Sequence, residues 1–150
     1  MCVATAADAE TIARLLAEAF AFYYPLYTPA GFDATTPRAD VIAARMAEGR
    51  TWIVDGVATL SAFPKGPDLY LRSMAVHPHA RGRRLGTRLL EAAEEYARAN
   101  GHRDLVLSTT PFLDHAIALY TRHGFIRTDE PPYELFGTPL FTMRKRIQIR

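Results

Sequence analysis

The spacing of apolar residues in the first third of the chain predicts two helices separated by an irregular stretch. The first is an amphipathic helix whose apolar face repeats at helical intervals, at Ile12, Leu15, Leu16, Ala19 and Phe20. Thr5 and Asp8 precede it with the spacing of a capping box. The second helix opens at Pro37, turns Val41, Ile42 and Met46 inward and stops at Gly49. Between them, Phe22 to Pro37 is rich in aromatic residues and proline, which predicts a loop.

Three short apolar runs follow and predict an antiparallel meander. The strands are expected at Thr51 to Val54, Val57 to Phe63 and Leu69 to Val76. Asp55-Gly56 is a strong signal for a two-residue hairpin turn. Pro64 to Asp68 is expected to form the second turn.

The last half of the chain alternates between helical and strand patterns. A long helix is expected from Leu85 to Asn100, because Leu85, Leu89, Leu90, Ala93 and Ala97 share one face and Gly101 can cap its end. The remaining elements are a strand at Leu105 to Thr109, a helix from Pro111 to Gly124, and strands at Phe125 to Arg127 and Leu140 to Arg146 around a loop rich in proline and glycine. No linker divides the chain, so we expect one mixed α/β domain over residues 1–150.

Composition narrows the function classes. The 150 residues include 18 basic and 16 acidic side chains, a net charge of +2 that does not indicate nucleic-acid binding by bulk electrostatics. Cys2 is the one cysteine, and the five histidines lack metal-ligand spacing, so we expect neither a disulfide nor a metal site. The first ten residues do not resemble a signal peptide, and no apolar run is long enough to span a membrane. A cytoplasmic protein without membrane contact is therefore expected.

The segment from Leu69 to Leu90, LYLRSMAVHPHARGRRLGTRLL, carries the clearest chemical signal. A strand ends at His77-Pro78, a basic glycine-bearing turn follows, and a helix begins almost at once. Backbone N–H groups at such a helix start are unpaired and the helix dipole favours anions there. Gly82 and Gly86 are expected to let the backbone approach a ligand closely. With the guanidinium groups of Arg81, Arg83 and Arg84, the turn is suited to a diphosphate.

Two common diphosphate motifs do not fit this segment. A nucleotide-triphosphatase loop needs Gly-Lys-Ser/Thr, whereas Gly86-Thr87-Arg88 has no such lysine. A dinucleotide fold places its glycine turn after the first strand of a parallel sheet, whereas this turn follows a meander.

Two motifs resemble the GNAT superfamily of N-acetyltransferases. Val76-His77-Pro78 and the run from Arg81 to Gly86 are similar to its Arg/Gln-x-x-Gly-x-Gly/Ala signature, with Arg84 where glycine is usual. Ala116 to Phe125, AIALYTRHGF, is similar to its Ala-x-x-Leu-Tyr-x-x-x-Gly-Phe helix. Leu113 stands where the family often has a cofactor-contacting asparagine.

The resemblance implies the fold and the ligand. It implies a twisted, mostly antiparallel sheet of six or seven strands flanked by about four helices, with a first strand inside Met1 to Ala4. Acetyl-CoA would be the co-substrate and would enter where the strand of Leu69 to Val76 separates from that of Leu105 to Thr109. The residues implied in cofactor binding are Met74, Ala75, Val76, Arg81, Gly82, Arg83, Arg84, Leu85, Gly86 and Thr87.

The resemblance also implies acetyl transfer to an amine, either a small molecule or a peptide, by direct attack in a ternary complex. Tyr120 falls at the position of the general acid that protonates the departing thiolate. Some relatives carry a glutamate on the strand before the cofactor loop, but Tyr70, Arg72 and Ser73 stand here. Glu134, His115 and Asp68 remain open as candidates for a general base.

Several alternatives stay open at the level of the sequence. The aromatic residues Phe20, Phe22, Tyr23, Tyr24, Tyr27 and Phe32 either pack the first helix or line an acceptor pocket. An acyl-CoA-binding module without efficient turnover is the second function class. A nucleic-acid-binding domain using the basic turn is the third and is disfavoured by the low net charge. The sequence leaves the acceptor open, and a homodimer as well.

Overall fold

The computed structural model describes residues 1–148, which form one continuous sheet with helices on both faces. The helices are α1 (Ala9–Phe20), α2 (Pro29–Thr35), α3 (Ala39–Met46), α4 (Leu85–Ala99) and α5 (Asp114–Arg122). The strands are β1 (Cys2–Val3), β2 (Arg50–Val54), β3 (Ala58–Lys65), β4 (Asp68–Val76), β5 (Asp104–Thr109), β6 (Ile126–Arg127), β7 (Tyr133–Leu135) and β8 (Thr138–Arg146). Short 3-10 helices cover Ala6–Asp8, Ala21–Leu26 and Pro78–Ala80.

The sheet follows the order β1-β2-β3-β4-β5-β8-β6, and β7 pairs with β8 outside this path. All pairings are antiparallel except that of β4 with β5. The predicted fold class is confirmed. The described residues contain eight strands and five α-helices, slightly more than expected.

Both faces of the sheet are covered by apolar side chains. Residues of β2 and β3 such as Val54 and Leu60 pack against Leu89 and Leu90 of α4. On the other face Ile12 and Leu16 of α1 pack with Ile42 of α3 and Ile53 of β2. Trp52 and Ile53 therefore point to opposite faces, as successive strand residues must. The amphipathic pattern of α1 is confirmed: Ile12, Leu15, Leu16 and Ala19 are buried.

Two predicted loops contain regular structure. Helix α2 lies within Phe22 to Pro37. Thr28-Pro29 is a helix-start signal, since Thr28 caps the helix through its side chain and Pro29 occupies the first turn. Strand β7 lies in the loop before β8. It is joined to β8 by Phe136-Gly137, which have φ angles of 49° and 90°, the conformation of a tight two-residue hairpin.

Three predicted boundaries are wrong by a few residues. Helix α3 begins at Ala39, because the cap residue Arg38 is extended. Helix α5 begins at Asp114 rather than Pro111, and the acidic residue in its first turn suits the positive end of the helix dipole. The turn predicted at Pro64 to Asp68 is shorter in the structure and consists of Gly66 and Pro67, because Lys65 still pairs with Asp68. The Asp55-Gly56 turn is confirmed, with φ angles of 50° and 69°.

Candidate active site

A bulge in β4 separates this strand from β5. Thr59 of β3 pairs with Ala75 and Ser61 pairs with Arg72, so Ser73 and Met74 together face Leu60 alone. Ser73 has a φ of 58°, which a residue with a side chain adopts only under local constraint. The parallel pairing with β5 extends only from Leu69 to Leu71. Beyond that point the β5-facing edge of β4 has no strand partner within residues 1–148.

A cavity of about 530 Å³ opens at this separation. Its walls come from the end of β4, the turn before α4, the start of α4, and α5. Nine of the ten residues expected to bind a cofactor line it: Met74, Ala75, Val76, Arg81, Gly82, Arg84, Leu85, Gly86 and Thr87. Arg83 is exposed and lies outside the lining.

The basic turn has the geometry of an anion site. Gly82 has a φ of 84° and nothing within 4 Å of the position a Cβ would take, so its backbone is open to a ligand. Arg84 adopts the left-handed conformation, with φ 58° and ψ 26°, as the residue before α4. This explains why glycine suits that position. Arg81 and Arg84 make no ion pair within the described part of the chain, and the first N–H groups of α4 point at the same space.

Gly86 has a packing role that the sequence did not reveal. A Cβ at this position would lie 2.6 Å from Cδ2 of Leu119 and 3.6 Å from Cε of Met74. Gly86 therefore lets α4 approach α5 closely where both helices line the cavity. Because it is buried in the first helical turn, a larger side chain would displace Leu119 as well as intrude on the cavity.

A second cavity of about 320 Å³ lies on the other side of the same wall. Met74, Leu113 and Ala116 line both cavities, so the two spaces adjoin there. The second cavity is rich in hydroxyl groups, which come from Tyr27, Thr35, Tyr70, Ser73, Ser108, Thr109, Thr110, Tyr120 and Tyr133. Sequence reasoning missed Ser108 and Tyr133, whose hydroxyls are hydrogen-bonded to each other, because it did not predict β7.

The segment over the second cavity is fastened to the β7–β8 hairpin. The backbone N–H of Thr28 donates to Oγ1 of Thr138 at 3.0 Å, and the hydroxyl of Thr28 donates to the carbonyl of Phe136 at 2.7 Å. Tyr27 packs edge-on against Phe112, with ring centroids 4.9 Å apart. These contacts hold residues 21–36 as a cover.

The aromatic residues of the cover divide between packing and lining. Tyr27 and Phe20 line the second cavity, and Tyr23 lines the first. Tyr24 and Phe32 pack edge-on against each other with centroids 4.9 Å apart. Phe22 is 82% exposed. Phe20 also packs against the core beneath α1, so packing of the first helix occurs at this residue, and lining of an acceptor pocket stays a prediction.

Tyr120 lies at the boundary of the two cavities. It lines the second cavity one helical turn after Ala116, which lines both, and its ring packs against Phe125. Burial, with a smaller contribution from Tyr27, raises the pKa of Tyr120 above its ordinary value. Burial likewise raises the pKa of Tyr27 and of Tyr70. All three phenols are protonated at neutral pH and can donate hydrogen bonds.

The three candidate general bases occupy different places. Asp68 lies at the start of β4, where its Oδ2 accepts from Nη1 of Arg144 at 2.9 Å and its Oδ1 is 3.6 Å from Nε of Arg103. His115 lines the first cavity. Glu134 is exposed between Tyr133 and Leu135, which both line the second cavity, so strand alternation turns it away. Among the described residues, no aspartate or glutamate lines either cavity.

Two general properties of the described residues bear on the site. Within residues 1–148, no group of three or more histidine, cysteine, aspartate or glutamate side chains could hold a metal ion. None of the helices described there is long and apolar enough to cross a membrane.

Comparison with known proteins gives the family. Residues 10–125 match the model of the acetyltransferase (GNAT) family. The chain is 36% identical over 88 residues to an IAA acetyltransferase from Azospirillum brasilense, an alignment that spans 59% of this chain and about half, 56%, of that relative. It is 31% identical over 136 residues to the uncharacterized N-acetyltransferase YjgM of Escherichia coli, covering 83% of this chain and 80% of that protein.

A solved structure shows the same fold. It is the PaiA N-acetyltransferase from Thermoplasma acidophilum in complex with coenzyme A, with a TM-score of 0.76 at 16% identity over 97% of this chain and 99% of that one. At that identity the likeness concerns the fold. The match over residues 10–125 shows the family itself: this chain belongs to the GNAT family of acetyltransferases.

Proposed function

We propose that this protein transfers an acetyl group from acetyl-CoA to the amine of an acceptor by direct attack in a ternary complex. The observation that carries the proposal is the pair of adjoining cavities. One is lined by the basic turn and the start of α4, the other is lined by protonated phenols, and Met74, Leu113 and Ala116 belong to both. Two substrates bound in them would meet at that shared wall. We take the whole chain to act as one catalytic domain.

The first cavity fits coenzyme A by its donor set. Arg81 and Arg84 and the N–H groups at the start of α4 would hold the diphosphate, since this combines fixed positive charge with unpaired backbone donors. The unpaired edge of β4 at Met74 to Val76 would hydrogen-bond the amide groups of the pantetheine arm. Leu113 offers no polar side chain there, so these contacts fall to the backbone.

Acetyl-CoA, when bound, supplies the acetyl group as an activated thioester. The amine nitrogen of the acceptor attacks the thioester carbonyl carbon, a C–N bond forms, and the C–S bond breaks. Backbone N–H groups of β4 would stabilise the negative charge that develops on the carbonyl oxygen. Tyr120 would donate its phenolic proton to the departing thiolate sulfur, the nitrogen would release its extra proton to water, and the phenolate would take a proton back from water.

The acceptor must lose its ammonium proton before it can attack. Because no carboxylate among the described residues lines either cavity, we propose that the neutral amine binds directly or deprotonates through solvent. Arg72 is the one charged side chain among the described residues that line the second cavity, and its positive charge would not hold the acceptor as an ammonium ion.

A binding module for acyl-CoA without efficient turnover is the second candidate, favoured by the same lack of a lining carboxylate. Two measurements on one preparation separate the candidates. Coenzyme A at a hundredfold over its dissociation constant should stabilise the protein by about 2.7 kcal/mol. Thiol release from acetyl-CoA should then depend on an added amine. Stabilisation without amine-dependent thiol release from a broad panel would favour the module, and an unmoved melting temperature would remove the basis for both.

A further inference from the structure

We infer that the acceptor amine also carries a carboxylate, which Arg72 binds at the mouth of the second cavity, so that the acceptor class is amino acids and similar small amino carboxylates. This inference rests on the proposed function and names the substrate class of the same site.

The charge of the second cavity is one-sided. Among residues 1–148, twenty line it, and Arg72 is the charged one of these; no aspartate or glutamate of that part of the chain contributes. An acceptor with several ammonium groups, such as a polyamine, would find no counter-charge there and would be repelled by Arg72. An anionic group on the acceptor would be attracted instead.

Arg72 is free to take a ligand. It is exposed on β4 at the bulge, and its side chain makes no ion pair or hydrogen bond within residues 1–148. Arg144, by contrast, is paired with Asp68 and Asp104. A guanidinium group presents a planar fork that matches a carboxylate with two parallel hydrogen bonds.

A second arginine adds to the positive field. Arg45 of α3 lies close enough to Arg72 for the two charges to interact, and its pKa is lowered by burial first and by the charge of Arg72 second. Glu48 partly offsets the charge of Arg45. No ion pair to Arg72 is formed within residues 1–148, so an anion bound there would relieve the repulsion between the two guanidinium groups.

The spacing suits a small molecule. Arg72 and Met74 flank Ser73 at the bulge of β4, and all three residues line the second cavity. Met74 lines the wall shared with the first cavity, where the acetyl group would be presented. A compact amino carboxylate can place its nitrogen at that wall and its carboxylate under the arginine, and the tyrosine-rich walls accommodate an apolar or aromatic skeleton.

The test compares acceptors that share a skeleton and differ at one group. L-phenylalanine, L-phenylalaninamide and 2-phenylethylamine, with the corresponding leucine series, are assayed by amine-dependent thiol release from acetyl-CoA. For each acceptor, kcat/KM of the parent protein is divided by kcat/KM of Arg72→Gln. Because each ratio concerns one acceptor, differences in amine pKa between acceptors cancel. We expect kcat/KM to fall about tenfold to a hundredfold for the amino acids and less than about threefold for the amides and plain amines.

Two further variants sharpen the comparison. Arg72→Lys keeps the charge without the fork, so it should restore part of the preference for the amino acids. Arg14→Gln removes an exposed arginine of α1 that lines neither cavity and should leave all ratios unchanged. Equal losses for acids and amides in Arg72→Gln, or a parent enzyme that acetylates amides and plain amines but no amino acid, would overturn the inference while the proposed function stands.

A binding measurement decides the inference when turnover is absent. Titration of 3-phenylpropanoate and of 3-phenylpropanamide into the protein with coenzyme A present should show binding of the acid only, weakened about tenfold by Arg72→Gln. If neither compound binds, or both bind equally, the inference is wrong. If no amine is acetylated although coenzyme A and the acid bind, the proposed function fails and the carboxylate site stands.

Discussion

Replacing Tyr120 by phenylalanine tests the chemical step most directly. The substitution removes one hydroxyl and keeps the ring, which is 8% exposed and packs against Phe125. No other described residue forms a hydrogen bond with that hydroxyl, so we expect unfolding free energy to change by less than about 1 kcal/mol. Coenzyme A affinity should also change little, because the residue lines the second cavity rather than the first.

The rate should respond far more strongly than the stability. Loss of a general acid typically lowers a rate by about a hundredfold to ten-thousandfold, which is about 2.7–5.4 kcal/mol of transition-state stabilisation. The deficit should appear in kcat, since the proton is donated as the thiolate departs, and it should shrink for acyl donors whose thiols are more acidic.

The assay measures melting temperature, coenzyme A affinity and amine-dependent thiol release on the same preparation. Tyr96→Phe is the matched control, because Tyr96 lies on α4 against Trp52 and Arg50 and lines neither cavity. Turnover by Tyr120→Phe within a few-fold of the parent would refute the acid role and leave Tyr120 as a packing residue. Loss of coenzyme A binding together with turnover would make it mainly a cofactor contact.

Three other predictions concern the turn, the cover and the pH dependence. Arg84→Gly should raise the free energy of unfolding of the free protein by up to about 1 kcal/mol in denaturant, because glycine adopts the left-handed backbone without strain, and it should lower coenzyme A affinity several-fold. A destabilised variant with unchanged affinity would contradict this. Thr138→Val should lower the free energy of unfolding by about 1–3 kcal/mol and raise KM for the amine more than for acetyl-CoA, because the N–H of Thr28 loses its buried acceptor. Equal changes in both KM values would argue that residues 21–36 do not cover the second cavity. The profile of kcat/KM against pH should rise as the acceptor ammonium group loses its proton. It should show no falling limb below about pH 10, since burial raises the pKa of Tyr120 above that of a free phenol. A falling limb near pH 8 would indicate a different acid.

Much of the fold and of the cofactor site was predictable from local sequence. Apolar periodicity gave α1 and α4, and Asp55-Gly56 fixed the first hairpin, because these signals act between residues close in the chain. The turn from Arg81 to Thr87 was also readable, because its glycines, its arginines and the helix start are consecutive. Six of its seven residues line one cavity for that reason.

The lining of the second cavity was decided by contacts between distant segments. Its residues Tyr27, Arg72, Ser108 and Tyr133 come from four separate segments, and no local spacing indicates that they share a cavity. The bulge at Ser73 and the approach of Gly86 to Leu119 likewise depend on partners far along the chain. The sequence by itself determined the elements and the anion-binding turn, because those follow from backbone propensity and local charge. Only the tertiary structure decided which side chains line the second cavity, because side chains from separate segments become neighbours only when the sheet and its cover pack together.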